Sequence, residues 1–329
     1  MTVLKKPNAR RRSLITAGAA SLFLPTFARG KGKWPEQPIK IVVPFAPGGS
    51  NDIIARLLAA KMGARMSNPI LVENRGGAGG TIGTEYVTKA APDGYTLLFA
   101  STSITTNSVS KKLRYDLAKD LDPIGTVATS PFAVVVSNTL PVKTLAEFIA
   151  LAKSKPGTIN YGSAGVGGIN HLGTELFAHA AGIKLTHVPY KGISLAFTDL
   201  LGGELQMLLP TVASSVQQIQ EGRMRGLAVT GAKRSPLLPN LPTASEAGLP
   251  GFQLEAWFGL FGPAKMPPAI VKRLNTELNA VLEMDDVKKH LALEGATATP
   301  GTPQALGELV RSELERWRSL IKEANIHLQ

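Results

Sequence analysis

The chain has 329 residues, 44% of them hydrophobic, and it contains no cysteine. This length supports two domains with cores of their own. The lack of cysteine excludes a disulfide framework, a zinc–thiolate site, a thiol nucleophile and a lipid anchor on an N-terminal cysteine. The formal net charge is +12. Because the basic residues are scattered and not interleaved with aromatic ones, we expect no nucleic-acid partner.

The first 28 residues have the pattern of a signal peptide. Five basic residues precede a short apolar run at 14–24, and Thr26-Phe27-Ala28 is a small-x-small cleavage site. The segment Arg11-Arg12-Ser13-Leu14-Ile15 fits the twin-arginine pattern, with an ordinary Sec signal as the alternative. Removing this leader leaves 31 basic and 24 acidic residues, a net charge of +7. We therefore expect export to the periplasm, with cleavage near Ala28.

Strands alternate with helices in the first part of the mature chain. Strands are predicted at 39–43, 70–73 and 95–100, and the helices between them at 53–62 and 81–90. A glycine-rich or polar loop follows each strand. This alternation predicts a parallel sheet with helices on both faces.

A second α/β set follows a crossing near Ser130-Pro131. Its predicted elements are strands at 132–136, 159–163, 185–189, 205–209 and 227–230 and helices at 144–153, 171–181, 196–201 and 214–221. A strand at 254–261 crosses back, and amphipathic helices at 268–282 and 303–324 are expected to cap the first sheet. The predicted fold is α/β with two lobes, each a sheet flanked by helices. The first lobe comprises 34–130 and 253–329, and the second comprises 131–252.

Four loops lie at the carboxyl ends of predicted parallel strands, where open α/β sheets bind ligands. They are Pro47-Gly48-Gly49, Ser101-Thr102-Ser103, Gly162 to Gly168, and Tyr190-Lys191-Gly192. The first precedes a helix, whose free N–H groups and partial positive charge favour carboxylates and phosphates. One such loop alone is more often a tight turn. Four of them on two lobes favour a shared cleft.

Motif spacing argues against nucleotide binding and catalysis. No Gly-Lys-Ser/Thr ending is present, and neither Gly-x-Gly segment has its third glycine in place. Ser163 lacks the glycine that a nucleophile elbow needs two residues earlier. His171, His179 and His187 are eight residues apart, not at metal-binding helical spacing. We therefore expect no catalytic residue, metal or cofactor.

Several side chains allow two interpretations. Asp52 caps its helix, with Arg56 as an i, i+4 partner, or meets a ligand ammonium group. His171 lines the cleft or caps and packs its helix. Lys191 offers a cation to a carboxylate or lies solvated at the rim. The aromatic residues of 254–261 form a hinge core or contact the ligand.

Segments along nearly the whole mature chain resemble the Bug-type periplasmic receptors of tripartite tricarboxylate transporters. They are 41–49 with Asp52, 72–80, 92–98, 160–163 with His171-Leu172, 187–192, 199–203, 227–230, 242–248 and 273–275. The resemblance implies a type II, Venus-flytrap binding protein that binds without chemistry and delivers its ligand to a membrane permease. It also implies that backbone groups of 45–51 and 162–168 hold one ligand carboxylate.

The resulting hypothesis is a monomeric periplasmic receptor for a di- or tricarboxylate or an aromatic acid, closing by a hinge near residues 130 and 253. The alternatives are a ligand sensor for a signalling partner and an exported hydrolase. The predicted ligand-binding residues are Phe45, Ala46, Pro47, Gly48, Gly49, Asn51, Ser101, Thr102, Ser163, Ala164, Gly165, Val166, Gly167, His171, Tyr190, Lys191, Pro210 and Thr211.

Two positions depart from the family pattern. Many relatives have a serine where this chain has Gly168, and many have an acidic residue where it has Gln206. We expect both differences to affect the end of the ligand opposite the bound carboxylate, and this end sets specificity.

Overall fold

The computed structural model describes residues 34–110, 112–190, 192–323 and 326. The predicted signal peptide and Lys191 lie outside these residues. Two mixed β-sheets form the framework, and helices cover both faces of each sheet. Among the described helices, none is both long and apolar enough to cross a membrane.

The strands of this framework follow in chain order. They are β1 (Ile39–Val43), β2 (Ile70–Asn74), β3 (Thr96–Ser101), β4 (Leu121–Pro131), β5 (Ala133–Val136), β6 (Asn160–Ser163), β7 (Thr186–Pro189), β8 (Met207–Leu208), β9 (Arg225–Val229), β10 (Glu255–Pro263) and β11 (Thr297–Ala298).

The helices connect these strands. They are α1 (Ser50–Met66), α2 (Thr81–Thr88), α3 (Ser103–Ser110), α4 (Leu117–Asp120), α5 (Leu145–Ser154), α6 (Ile169–Ala181), α7 (Ile193–Gly202), α8 (Val212–Gln220), α9 (Pro268–Leu282), α10 (Asp285–Leu293) and α11 (Pro303–Glu323). A single 3₁₀ turn, Ala78–Gly80, precedes α2.

The first sheet has the strand order β11-β4-β10-β3-β1-β2. Strand β1 lies between β2 and β3 and is parallel to both, whereas β10 is antiparallel to β3 and β4. Ile39, Ile41 and Val43 pack on the side covered by α1 and α9, and Val42 packs on the opposite side. Because successive residues of a strand face opposite ways, an unbroken apolar run fits a sheet buried on both faces.

The second sheet has the order β7-β6-β8-β5-β9. Strand β6 is parallel to β7 and β8, and β5 is antiparallel to β8 and β9. Val134 and Val136 belong to one buried cluster, and Ala133 and Val135 belong to another. This sheet is therefore also buried on both faces, which explains why its inner strand β5 is wholly apolar.

The chain passes between the sheets at two adjacent points, and Thr230 joins them. The N–H of Phe132 donates to Thr230 Oγ1 (2.9 Å), and that hydroxyl donates to the carbonyl of Leu254. The backbone of Thr230 also bonds to both residues, at 2.9 Å each. Thr230 is fully buried. It therefore ties the outgoing segment after β4 to the returning segment before β10.

Most predicted strands are confirmed within two residues of their bounds, but β4 was not predicted. Its sequence contains Pro123 and Gly125, which are poor strand residues and mask the alternation. The strand pairs with β10 from Leu121 to Pro131, with register shifts along the ladder. The partner strand, not the local sequence, therefore determines the conformation of this segment.

Helix α11 caps the first sheet, as predicted, and also reaches the core of the second sheet. Leu306 and Val310, in its first half, pack against residues of β3 and β10. Trp317 and Leu320, in its second half, join the buried cluster on the second sheet. The Trp317 indole N–H also donates to Glu313 Oε2 (2.7 Å). A 21-residue helix is about 30 Å long, which allows it to reach both cores.

We predict that Thr230→Val lowers the free energy of unfolding by about 2–3 kcal/mol, because it leaves the Phe132 N–H and the Leu254 carbonyl buried without this hydroxyl. Thr230→Ser keeps the hydroxyl and should cost about 1 kcal/mol for the lost methyl group. Urea unfolding of both variants measures the difference. A valine variant as stable as the serine variant would contradict the role of the hydroxyl.

Candidate ligand site

The loop between β1 and α1 is held by the carboxylate of Asp52. This side chain is 4% exposed and accepts the N–H of Gly48 (3.0 Å), the guanidinium of Arg56 (3.0 Å) and the amide of Asn74 (2.9 Å). Asn74 also donates to the carbonyl of Phe45 (3.1 Å). Burial would raise the pKa of Asp52. The hydrogen bonds outweigh burial, and the pKa lies below its ordinary value.

The expected i, i+4 pairing of Asp52 with Arg56 is present, but the N-cap of α1 is Gly49 and not Asp52. Both carboxylate oxygens are engaged by groups of the protein, and Arg56 neutralises the charge. Asp52 therefore organises the loop and leaves no oxygen directed at a ligand ammonium group. Gly48 takes a left-handed backbone conformation with φ of 85°, which an L side chain would strain.

The start of α1 is open to a ligand. Residues 46–49 are exposed, and Gly49 is the N-cap without a side-chain cap among the described residues. The N–H groups of Ser50 and Asn51 have no acceptor in this part of the structure. Free N–H groups at a helix start carry partial positive charge and bind anions. The backbone of this loop can therefore donate to a carboxylate.

Gly49 itself is not required by the fold. Its φ of −90° is an ordinary value, and a Cβ atom there would meet nothing within 4 Å. By contrast, a Cβ at Gly162 would lie 2.6 Å from Leu205 and 2.9 Å from Ala196. Gly162 thus serves internal packing, whereas Gly49 leaves space at an exposed helix start.

The loop between β6 and α6 has a similar form. Gly168 is the N-cap of α6 without a side-chain cap among the described residues, and the N–H groups of Ile169 and Asn170 find no acceptor there. The side-chain amide of Asn170 donates to the carbonyl of Leu209 (2.8 Å). This second helix start can also donate backbone hydrogen bonds to an anion.

Contacts through α3 place the two loops at the same end of the molecule. A Cβ at Gly76 would lie 3.2 Å from the backbone N of Ala46, so the 76–80 loop touches the first loop. Asn107 of α3 donates to the carbonyl of Gly79 (2.7 Å). Ser110, at the end of α3, donates to the carbonyl of Gly167 (3.3 Å). Helix α3 therefore links the first loop region to the second.

Several of the other predicted site residues have internal partners. Ser101, Thr102 and Ser103 are buried, and Thr102 Oγ1 accepts the N–H of Trp257 (2.9 Å). Tyr190, by contrast, is only partly buried and donates its hydroxyl to Asp199. Burial, and then the Asp199 carboxylate, raise the pKa of Tyr190 to about 12.

Pro210 and Thr211 support the second sheet and α8. The carbonyl of Pro210 accepts the N–H of Ala133 (2.8 Å), which extends the pairing beside β5. Thr211 is the N-cap of α8, and its hydroxyl accepts the N–H of Ser214 (3.4 Å). Direct ligand contact by these two residues stays a prediction.

Two histidines form a cluster that the sequence did not reveal. The rings of His171 on α6 and His187 on β7 stack with centroids 3.9 Å apart and planes 8° apart. The ring of Tyr161 lies 4.9 Å from that of His187. His171 Nδ1 accepts the N–H of Gly167 (3.0 Å). Tyr161 pairs with His187 across β6 and β7, which brings their rings together. This contact can be predicted only from the strand register.

Ser163 and His187 meet the distance for a nucleophile and its base, with Ser163 Oγ 2.6 Å from His187 Nε2. Ser163 is fully buried, however, and its Oγ also accepts the N–H of Gly165 (3.1 Å). No carboxylate of the described residues is hydrogen-bonded to His187, so the orienting third group is missing. The pair supports the turn that follows β6.

The two departures from the family pattern lie in different places. A Cβ at Gly168 would meet only the carbonyl of Gly165, at 3.4 Å, so a serine fits beside the cleft. The side chain of Gln206 accepts the N–H of Asn160 (3.0 Å) and donates to the carbonyl of Gly203 (3.3 Å). Asn160 begins β6, so Gln206 lies at the strand end opposite Ser163. Of the two departures, that at Gly168 therefore bears on the cleft.

A separate cavity of about 690 Å³ lies between α9 and α11, beside Asp122, Met266 and Arg311. None of the predicted site residues lines it. No group of three metal-ligating side chains occurs among the described residues. The paired glycine loops, with their free helix-start N–H groups, remain the candidate site.

Comparison with known proteins gives the family. The model of the tripartite tricarboxylate transporter family receptor matches residues 54–326. Protein BugT of Bordetella pertussis is 35% identical over 299 residues, which cover 90% of this chain and 92% of BugT. The structure of R. palustris Rpa4515 with adipate has a TM-score of 0.85 and 36% identity, covering 89% of this chain and 99% of that one. MatC from Rhodopseudomonas palustris with bound malate has a TM-score of 0.81 and 34% identity, covering 87% and 99%.

These findings agree with the resemblance seen in the sequence segments. The family match spans most of the chain, and both solved relatives are aligned over nearly their whole length. Both hold small organic acids. The chain therefore belongs to the Bug-type receptors of the tripartite tricarboxylate transporter family, which are periplasmic, bind small carboxylates and are not enzymes.

Proposed function

We propose that this receptor captures a small di- or tricarboxylate, or an aromatic acid, between loops 45–51 and 163–168 and delivers it to a membrane permease. The observation that carries the proposal is the pair of uncapped helix starts at Gly49 and Gly168. Each presents free N–H groups and partial positive charge, which match a carboxylate. The adipate and malate held by the two solved relatives are dicarboxylates.

The electrostatics of both loops favour an anion. Helix α1 has one acid in its first turn, Asp52, and Arg56 neutralises it. Helix α6 has none in its first turn. A helix start that carries no net negative side-chain charge keeps its attraction for a carboxylate. We assign direct contact to the free backbone N–H groups of Ser50, Asn51, Ile169 and Asn170 at the two helix starts. Thr102, Ser163 and His171 have a supporting role.

The same proposal includes the route and the partners. The first 28 residues direct export, with Arg11 and Arg12 indicating the twin-arginine route, and cleavage follows Ala28. The mature protein works as a monomer and docks on the permease subunits of its transporter. A hinge near residues 130 and 253 closes the two sheets around the ligand.

We predict that organic acids stabilise the purified mature protein. At 100 times its dissociation constant, a bound acid should add about 2.7 kcal/mol to the free energy of unfolding. Thermal shift with adipate, malate, citrate and benzoate measures this, and adipamide, which has the shape of adipate without its charges, is the matched control. Stabilisation by adipamide equal to that by adipate would refute carboxylate recognition.

We predict that Gly49→Val abolishes binding of the acid that stabilises the wild type most, while the fold persists. The new side chain points into open space beside the free N–H groups, so it blocks the ligand and not the protein. Gly202→Val is the control. Gly202 is the last residue of α7, it is exposed, and a Cβ atom there would likewise meet nothing within 4 Å. Calorimetric titration of both variants checks this, and wild-type affinity in Gly49→Val would remove the first loop from the site.

A further inference from the structure

The stacked pair of His171 and His187 holds loop 163–168 at both ends. At the β6 end, Ser163 Oγ binds the N–H of Gly165 and lies 2.6 Å from His187 Nε2. At the α6 end, the N–H of Gly167 donates to His171 Nδ1 (3.0 Å). The rings face each other at 3.9 Å, so the two anchors are in direct contact. Movement of either ring would therefore displace the loop.

The hydrogen bond from Gly167 fixes the protonation state of His171. A nitrogen that accepts an N–H needs its lone pair, so Nδ1 carries no proton and the ring is neutral. A proton on Nδ1 would place two N–H groups against each other and break the bond. Stacking adds a second constraint, because charges on two rings at this distance repel each other.

The surroundings of the pair also favour neutral rings. Burial lowers the pKa of His171 to about 4, and burial together with His171 lowers the pKa of His187 to about 3. The other titratable groups at the cluster are Tyr161 on β6, whose ring stacks near both, and Glu175 on α6, which accepts the Tyr161 hydroxyl. The Glu175 carboxylate is thus engaged by Tyr161 and is not hydrogen-bonded to either imidazole in the described structure.

Building on the proposed function, we propose that His171 is a positioning residue for the ligand-binding loop 163–168, and that the loop keeps its binding geometry only while the His171–His187 pair is neutral. The rings act beneath the loop, since His171 is 4% exposed and its Nδ1 is occupied by Gly167. A ligand carboxylate cannot compensate for protonation at that nitrogen. Acid therefore weakens binding through the protein as well as through protonation of the ligand.

The first test compares adipate and malate binding by calorimetry in the wild type, His171→Leu and His171→Asn. Leucine removes the acceptor for Gly167, and we expect an affinity loss on the order of tenfold at pH 7.5. The Oδ1 atom of asparagine can occupy the place of Nδ1 and accept the same N–H without titrating. We expect His171→Asn to recover most of the lost affinity.

The pH dependence separates positioning from simple packing. The neutral form is complete above about pH 6, and protonation begins as the pH falls toward the low pKa of His171. Between pH 7.5 and 4.0 the wild type should lose about a further twofold in affinity relative to His171→Asn, since half of its rings would be charged at the pKa. Protonation of the acid itself affects both proteins equally and cancels in this ratio. A constant ratio, or a leucine variant with wild-type affinity, overturns the inference.

A second measurement needs no ligand. Hydrogen exchange of residues 163–168 in the unliganded protein should be about tenfold faster in His171→Leu than in the wild type, with exchange in α5 unchanged. Faster exchange without binding of any acid would refute the proposed function and leave the positioning role standing. Unchanged exchange would overturn the positioning role, whichever acids bind.

Discussion

The hydrogen bonds of Thr230 join the two segments by which the chain passes between its sheets. Phe132 leads out of the first sheet and Leu254 leads back, and both are bonded to the same buried residue. The β4–β10 ladder continues from this point along the first sheet. The two segments stay adjacent and join the sheets, while α3 contacts both loop regions and α11 packs on both cores.

Different side chains hold the two glycine loops, but both arrangements leave the helix N–H groups free. A buried carboxylate, Asp52, gathers donors beneath the first loop, and Arg56 balances its charge. Neutral imidazoles and Ser163 hold the second loop. In each loop these side chains form hydrogen bonds within the protein, and the N–H groups at the helix start stay free. Rigid donors that need no reorganisation lose little entropy when a ligand binds.

The sequence alone was enough to predict the elements whose conformation depends on local pattern. The apolar run 39–43, the glycine turn after it and the helix at 144–153 were predicted. Thr144 Oγ1 caps that helix by accepting the N–H of Glu147 (3.1 Å). It was not enough to predict elements whose conformation depends on residues far away in the sequence. Strand β4 owes its conformation to β10, and the second half of α11 packs on a core that no helical periodicity can identify. The contact between His171 and His187, sixteen residues apart, likewise depends on strand register.

Some glycines of this chain are required by packing inside the protein, and others are not. A Cβ at Gly83 would lie 2.6 Å from the carbonyl of Arg75, and one at Gly162 would meet Leu205 at the same distance, so packing explains both. Gly49 and Gly168 have ordinary φ values, and a Cβ at either would meet no atom closer than 3.4 Å. Any small side chain would fit there, and serine would also cap the helix. Since packing gives no reason for glycine at Gly49, we propose that the close approach of a bound molecule to the backbone supplies one. Gly168 lies at the start of α6, whereas Gln206 satisfies backbone groups at the opposite end of its sheet.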